Sequence, residues 1–126
     1  MPGTGSSAKL ALNLLVGTMA RSLGEAIAML EAQQLSVTQF LAALKGSGLA
    51  SPLYQRIGER YLQGDTSARF SLANLEKDIQ LVMAHAQTLG VSHDMADAVM
   101  KPLRDMDETD KQHDYSALLS WPARRP

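Results

Sequence analysis

The sequence predicts an all-α domain, a helical bundle of five to six helices opened by an unusually long first one. Apolar residues recur at steps of three and four along the chain. Serines, prolines and glycines fall where helices should start and stop. No stretch reads as a strand. At 126 residues the chain lies in the commonest single-domain range of about 100–150 residues, so residues 1–126 are expected to share one core.

The first helix is expected from about Ser7 to Gln34, with Ser6 or Ser7 as its cap. Its few polar residues, Lys9, Asn13, Arg21 and Glu25, lie on a row of steps of four, and nearly everything else is apolar or small. A helix that apolar must be packed on most sides. Gly17 and Gly24, each costing about 1 kcal/mol relative to alanine inside a helix, form a small-residue strip with Ala20 and Ala28. Another helix is expected to approach closely there. At a rise of 1.5 Å per residue this helix would be roughly 40 Å long. That exceeds what so small a domain needs, so part of it is expected to contact another domain or subunit.

The second helix opens at a capping box, Ser36-Val37-Thr38-Gln39, and ends near Gly46. Ser51-Pro52 sets a cap before a proline at the first helical position, opening a third helix that stops at Gly64. After the loop Asp65–Phe70, Ser71 caps a fourth helix, whose apolar positions are Leu72, Leu75, Ile79, Val82, Ala86 and Leu89, closed by Gly90. Ser92 is expected to cap a fifth helix carrying Met95, Val99, Leu103 and Met106, kinked or interrupted at Pro102. The acidic stretch Asp105–Asp110 then leads to a short helical turn at Tyr115–Leu119, and Trp121–Pro126 reads as a tail.

Composition excludes several functions. A net charge of -1 gives no electrostatic footprint for nucleic acid or an acidic membrane, and no basic cluster is interleaved with aromatics. The absence of cysteine removes disulfides, thiolate metal sites and thiol nucleophiles, and fits a cytoplasmic location. The longest apolar tract, Leu10–Ala20, contains Asn13 and runs into Arg21. It falls short of the roughly 20 apolar residues a membrane span needs. His85, His93 and His113 stand on separate elements, His85 reading as an exposed or capping residue that could also share an edge with Asp78. Asp105, Asp107, Glu108 and Asp110 lack calcium-loop order and its glycine, so they read as a solvated face and no metal site is expected.

The opening Pro2-Gly3-Thr4-Gly5-Ser6-Ser7-Ala8-Lys9 superficially suggests a phosphate loop. Such a loop needs a third glycine, or G-K-[ST], after a strand, and only two residues precede Gly3 here. What survives is Lys9 and Asn13, four apart and therefore on one helix face. By spacing alone they are either a solvated lysine beside a polar residue or a functional pair on the most apolar helix of the chain. Lys77-Asp78 is equally open, and two charges on a solvated face would explain it. Asp78 borders the apolar stripe of the fourth helix, while Lys77 lies about 100° further round.

Gly3-x-Gly5-x-x-x-Lys9-x-x-x-Asn13 resembles the catalytic segment of the β-hydroxyacid dehydrogenases, the family of 3-hydroxyisobutyrate dehydrogenase and 2-hydroxy-3-oxopropionate reductase. The resemblance continues through Glu25-Ala26, through Phe70 eight residues before Asp78 in Lys77-Asp78, and to Asp114-Tyr115-Ser116-Ala117-Leu118. It implies a fold similar to the 6-phosphogluconate dehydrogenase C-terminal domain. This chain would then be an all-helical substrate and dimerisation domain, entered in the middle of the lysine motif, with an N-terminal Rossmann domain lying outside it. It also implies NAD or NADP as cofactor, bound mainly by that other domain, a small hydroxy-acid or semialdehyde substrate, and a homodimer.

Residue by residue, Lys9 matches the family's catalytic lysine, a general acid–base whose pKa a closed site would depress by desolvation. Asn13 matches a residue that holds the substrate and orients the lysine. Phe70 and Asp78 match positions on the substrate side, and Lys77 matches a lysine that contacts the cofactor. The sequence departs from the family at His93-Asp94, where relatives usually have proline, at Pro102, where an aromatic is common, and at Thr109–His113, which replaces a glycine-rich approach. Keeping Lys9 argues against the related imine reductases. A non-catalytic helical dimerisation module would share every packing feature. The 126 residues alone are expected to be inactive for want of a dinucleotide-binding fold.

Overall fold

The computed structural model describes residues 4–124, so Pro2 and Gly3 of the opening motif and the last two residues of the expected tail lie outside the described residues. Within them the chain is α1 (Thr4–Ala32), α2 (Val37–Lys45), α3 (Pro52–Gln63), α4 (Leu72–Leu89) and α5 (Asp94–Arg104), followed by a short 3-10 segment (Asp110–Gln112) and a terminal 3-10 helix (Tyr115–Arg124).

Three of the five α-helices begin and end on the residues that local chemistry predicts. Ser36, Ser51 and Ser71 accept the backbone N–H of Gln39, Tyr54 and Asn74 at 3.1, 3.0 and 3.1 Å, satisfying donors that the first turn leaves free. Gly64 and Gly90 close α3 and α4 in the left-handed region, at φ 67° and 70°.

Both ends of α1 differ from expectation. The helix starts at Thr4, so Ser6 and Ser7 lie inside its first turns and cap nothing. Ser7 turns sideways instead, its hydroxyl 3.1 Å from Nε2 of His85 on α4. At the other end no glycine is needed. Gln34 takes the left-handed conformation at φ 60°, Leu35 donates to the Leu30 carbonyl at 2.9 Å, and Gln34 donates to that of Glu31 at 3.0 Å. This is a Schellman closure built on glutamine.

In α5, His93 rather than Ser92 occupies the cap position, without a side-chain cap bond, while Ser92 Oγ accepts the Asp94 N–H at 3.4 Å. The helix runs through Pro102 to Arg104. Proline removes the N–H that would bond the carbonyl four residues back, and Arg21 Nε donates to that carbonyl, on Ala98, at 2.9 Å. The expected tail is also structured: the terminal 3-10 helix continues to Arg124, and Trp121 packs partly buried against the core.

That core joins Ile27 of α1, Leu72, Leu75 and Ile79 of α4, Val99 and Leu103 of α5, and Leu118 and Leu119 of the terminal helix. Leu89 and Met95, expected on buried stripes, are 61% and 59% exposed. The small-residue strip of α1 does mark a close approach. A Cβ on Gly24 would stand 2.8 Å from the Leu118 carbonyl oxygen, and one on Gly17 3.1 Å from Val99 Cγ1. The elements that cover the strip belong to the chain itself, so it supplies no argument for a second subunit. Exposed apolar residues of α1 lie elsewhere, at Leu12, Leu15 and Met29.

Candidate functional site

α1 and α4 pack in opposite directions, since Ser7 meets His85 while Asn13 meets Asp78. Asn13 Nδ2 donates to Asp78 Oδ2 at 2.8 Å, a contact between residues 65 positions apart in sequence. Both side chains are half-buried, and the amide–carboxylate pairing uses a charged acceptor, which makes it stronger than a neutral one.

Lys9 lies one turn before Asn13 and is exposed. Among the described residues nothing buries it. Lys77, beside Asp78 on α4, is exposed as well. Among the described residues neither lysine takes part in an ion pair, while neighbouring Glu76 is held by Lys111 at 2.9 Å.

Phe70 is placed by other contacts. It ends the loop before Ser71, half-buried, with its ring edge-on to Tyr115 at 5.9 Å between centroids and 66° between planes. Behind it stands Asp114, 2% exposed, whose two oxygens accept four hydrogen bonds from Arg69, Phe70 and Ser116. Burial pushes this carboxyl up, but the bonds from Ser116, Phe70 and Arg69 outweigh it and hold the carboxyl below its ordinary range. Sequence reasoning missed Asp114 as a functional candidate. Its signal was an acidic residue followed two positions on by serine, where the polar run Thr109–His113 gives way to an apolar stretch.

His85 is neither exposed nor capping; it is half-buried against Ser7, on the edge of α4 facing α1 that it shares with Asp78. His93 Nδ1 lies 3.1 Å from Asp97 Oδ1. A groove of about 510 Å³ opens between the start of α1, the end of α4 and the start of α5, bordered by Ser7, Leu14, Val82, His85, Leu89 and Met95. Among the described residues no group of three or more histidines and carboxylates is arranged to hold a metal ion. Nor is any helix there long and apolar enough to cross a membrane.

Residues 3–121 match the family model described as NAD-binding of NADP-dependent 3-hydroxyisobutyrate dehydrogenase. The fold is similar to the crystal structure of a 3-hydroxyisobutyrate dehydrogenase from Salmonella typhimurium, with a TM-score of 0.85 and 21% sequence identity. That similarity covers 94% of this chain and 42% of the other, so the chain spans less than half the length of the protein it matches. No curated protein gives a match.

Proposed function

Since the chain belongs to the family of NAD-binding domains of NADP-dependent 3-hydroxyisobutyrate dehydrogenase, we propose that it is the helical part of an NAD(P)-dependent oxidoreductase interconverting a small 3-hydroxy acid and its semialdehyde or keto form. The observation that carries this reading is the Asn13–Asp78 bond. Two residues chosen for substrate contact from distant parts of the sequence stand 2.8 Å apart, one helical turn from the lysine assigned to proton transfer.

In this reading Lys9 gives a proton to the substrate's carbonyl oxygen on reduction and takes one from the hydroxyl on oxidation. Asn13 gives one of its two amide N–H groups to Asp78, and its carbonyl oxygen is free to accept from the substrate hydroxyl or from Lys9. Asp78 fixes which way that amide points. Phe70 closes the substrate side with an apolar ring. Lys77 is an exposed cation without an ion-pair partner among the described residues, which fits the edge of an anionic dinucleotide held chiefly by a Rossmann domain. When bound, that cofactor supplies or accepts the hydride.

Leu12, Leu15 and Met29, between 57% and 65% exposed along α1, are the surface we assign to that domain or to a second copy in a homodimer. A cytoplasmic location agrees with the absence of cysteine. The deciding test is Lys9→Ala in the full-length enzyme. A positioned general acid–base contributes about 10²–10⁴-fold, so kcat should fall by at least about a hundredfold, and a loss of only a few-fold would refute the role.

A further inference from the structure

Phe70 ends the loop that leads into α4, half-buried against the core and edge-on to Tyr115. The four residues before it, Thr66 to Arg69, are exposed, so packing of the ring alone does not hold the backbone that carries it. Its position is set from behind. Asp114 N–H donates to the Thr66 carbonyl at 3.0 Å, Tyr115 N–H to that of Phe70 at 2.8 Å, and Leu72 N–H to that of His113 at 2.9 Å. These bonds make a short antiparallel bridge between the loop and the segment leading into the terminal 3-10 helix.

The Asp114 carboxylate completes the bridge in two separable arms. Oδ1 accepts the N–H of Arg69 at 3.0 Å and of Phe70 at 3.1 Å. Oδ2 accepts the Ser116 N–H at 3.1 Å and hydroxyl at 2.6 Å. One oxygen thus holds the loop and the other anchors the carboxylate to the chain that carries it. Arg60 of α3 balances the buried charge, with Nε 3.7 Å from Oδ2 and Nη2 bonded to the Ser67 carbonyl. A carboxylate is costly to bury, and an apolar residue would serve packing alone. The Oδ1 arm does what packing cannot, fixing the two peptide groups that aim the Phe70 ring.

We propose that Asp114 is a positioning residue, setting Phe70 through its Oδ1 arm and thereby the apolar wall against which the substrate sits. The substrate half of this proposal rests on the functional reading given above; the hold on Phe70 does not.

The test compares Asp114→Ala, Asp114→Asn and Ser116→Ala in the full-length enzyme, with 3-hydroxyisobutyrate and 3-hydroxypropionate as probes and NAD(P)+ as oxidant. Misplacing a positioning group is expected to raise KM for 3-hydroxyisobutyrate about tenfold in Asp114→Ala, with kcat within about threefold and its pH profile unmoved. The smaller probe, which leans less on the wall, should lose less. Asp114→Asn keeps an oxygen for the Arg69 and Phe70 amides and should restore most of the lost affinity. Ser116→Ala touches only the other arm and should leave KM unchanged.

Amide hydrogen exchange on the same proteins reads the hold without catalysis. Phe70 N–H should exchange at least about tenfold faster in Asp114→Ala and not in Ser116→Ala, while Ile79 in mid-α4 is unaffected. Equal effects of the alanine variants at Asp114 and Ser116, or a loss of kcat with KM unchanged, would overturn the proposal. A wild-type enzyme that oxidises neither acid would overturn the functional reading and the substrate half together, with the exchange result still deciding the hold on Phe70.

Discussion

Arg21 Nε stands 2.9 Å from the carbonyl oxygen of Ala98, four residues before Pro102. A cation on α1 replaces the N–H that proline withholds from α5, and the helix runs on to Arg104 where a kink or an interruption was expected. The Arg21 side chain is 14% exposed, and its guanidinium also meets Glu25 at 3.5 Å.

Arg21→Met keeps most of the apolar stem but leaves the carbonyl unpaired, which should cost about 1–3 kcal/mol. Pro102→Ala returns a backbone N–H to Ala98. In that background the cost of Arg21→Met, measured by urea unfolding, should shrink by at least about half. Equal costs in both backgrounds would mean that Arg21 stabilises α5 in some other way.

Gln34 closes α1 at φ 60°, a conformation that costs a residue with a Cβ about 1–2 kcal/mol and glycine little. Gln34→Gly should therefore raise stability by about 1 kcal/mol and the melting temperature by a few degrees. A lower melting temperature would show that the glutamine side chain contributes more than its backbone conformation costs.

Gly24 and Gly17 both lie in α1, but their neighbours differ. A Cβ on Gly24 meets backbone, the Leu118 oxygen at 2.8 Å and Leu119 Cα at 3.1 Å, whereas one on Gly17 meets the methyls of Val99 at 3.1 and 3.3 Å. Backbone cannot rotate aside. Gly24→Ala should cost about 1–3 kcal/mol by overpacking. Gly17→Ala should cost less, because about 1 kcal/mol of helix propensity offsets a small movement of a side chain. Thermal unfolding of the two variants in the reverse order would contradict this account.

These comparisons show where the sequence was legible. α2, α3 and α4 could be bounded because serine caps and glycine stops act within a few residues of chain. α1 could not: Ser7 bonds His85, 78 positions away, and its stop uses glutamine where local chemistry favours glycine. The Ala98 carbonyl that Pro102 leaves free is met by Arg21, 77 positions away, and Trp121 is partly buried only against the assembled core. The same division runs through the candidate site. Lys9, Asn13, Phe70, Lys77 and Asp78 could be given roles from motifs, whereas Asp114 stood in a motif without one, because its four hydrogen bonds exist only once the loop and the terminal helix meet.

Asp114 and Tyr61 are shifted in opposite directions by the fold and act on opposite limbs of the stability curve. Asp114, held below its ordinary carboxyl value of 3.8 in the folded chain, stabilises fully above that value and loses its contribution as pH falls through its folded pKa. Tyr61 is the opposite case. Burial, then its 2.7 Å hydrogen bond to Glu31 and that carboxylate's charge, push it up to about 12. Its contribution is complete below the ordinary value of 10.0 and is lost as pH rises from there towards 12. Asp114→Asn should flatten the acid limb and Tyr61→Phe the alkaline limb, each leaving the other unchanged in unfolding measured across pH. A variant that altered both limbs would show the two sites to be coupled.

Asn13 and Asp78 allow a sharper test of the seam between α1 and α4. Asn13→Asp would set a second carboxylate where an amide now donates at 2.8 Å. Two carboxylates so close cannot both ionise cheaply, so one would be forced to keep its proton well above its ordinary pKa. At neutral pH the variant should be less stable than the parent by about 1–3 kcal/mol, on the scale of a lost charge-assisted bond. A shared proton restores the bond, so the deficit should narrow as pH falls towards 5 and below. Adding Asp78→Asn removes the repulsion and rebuilds the pair with donor and acceptor exchanged, which should recover most of the stability at neutral pH. A deficit in Asn13→Asp that is independent of pH, or that survives in the double variant, would mean that the two side chains do not meet in solution.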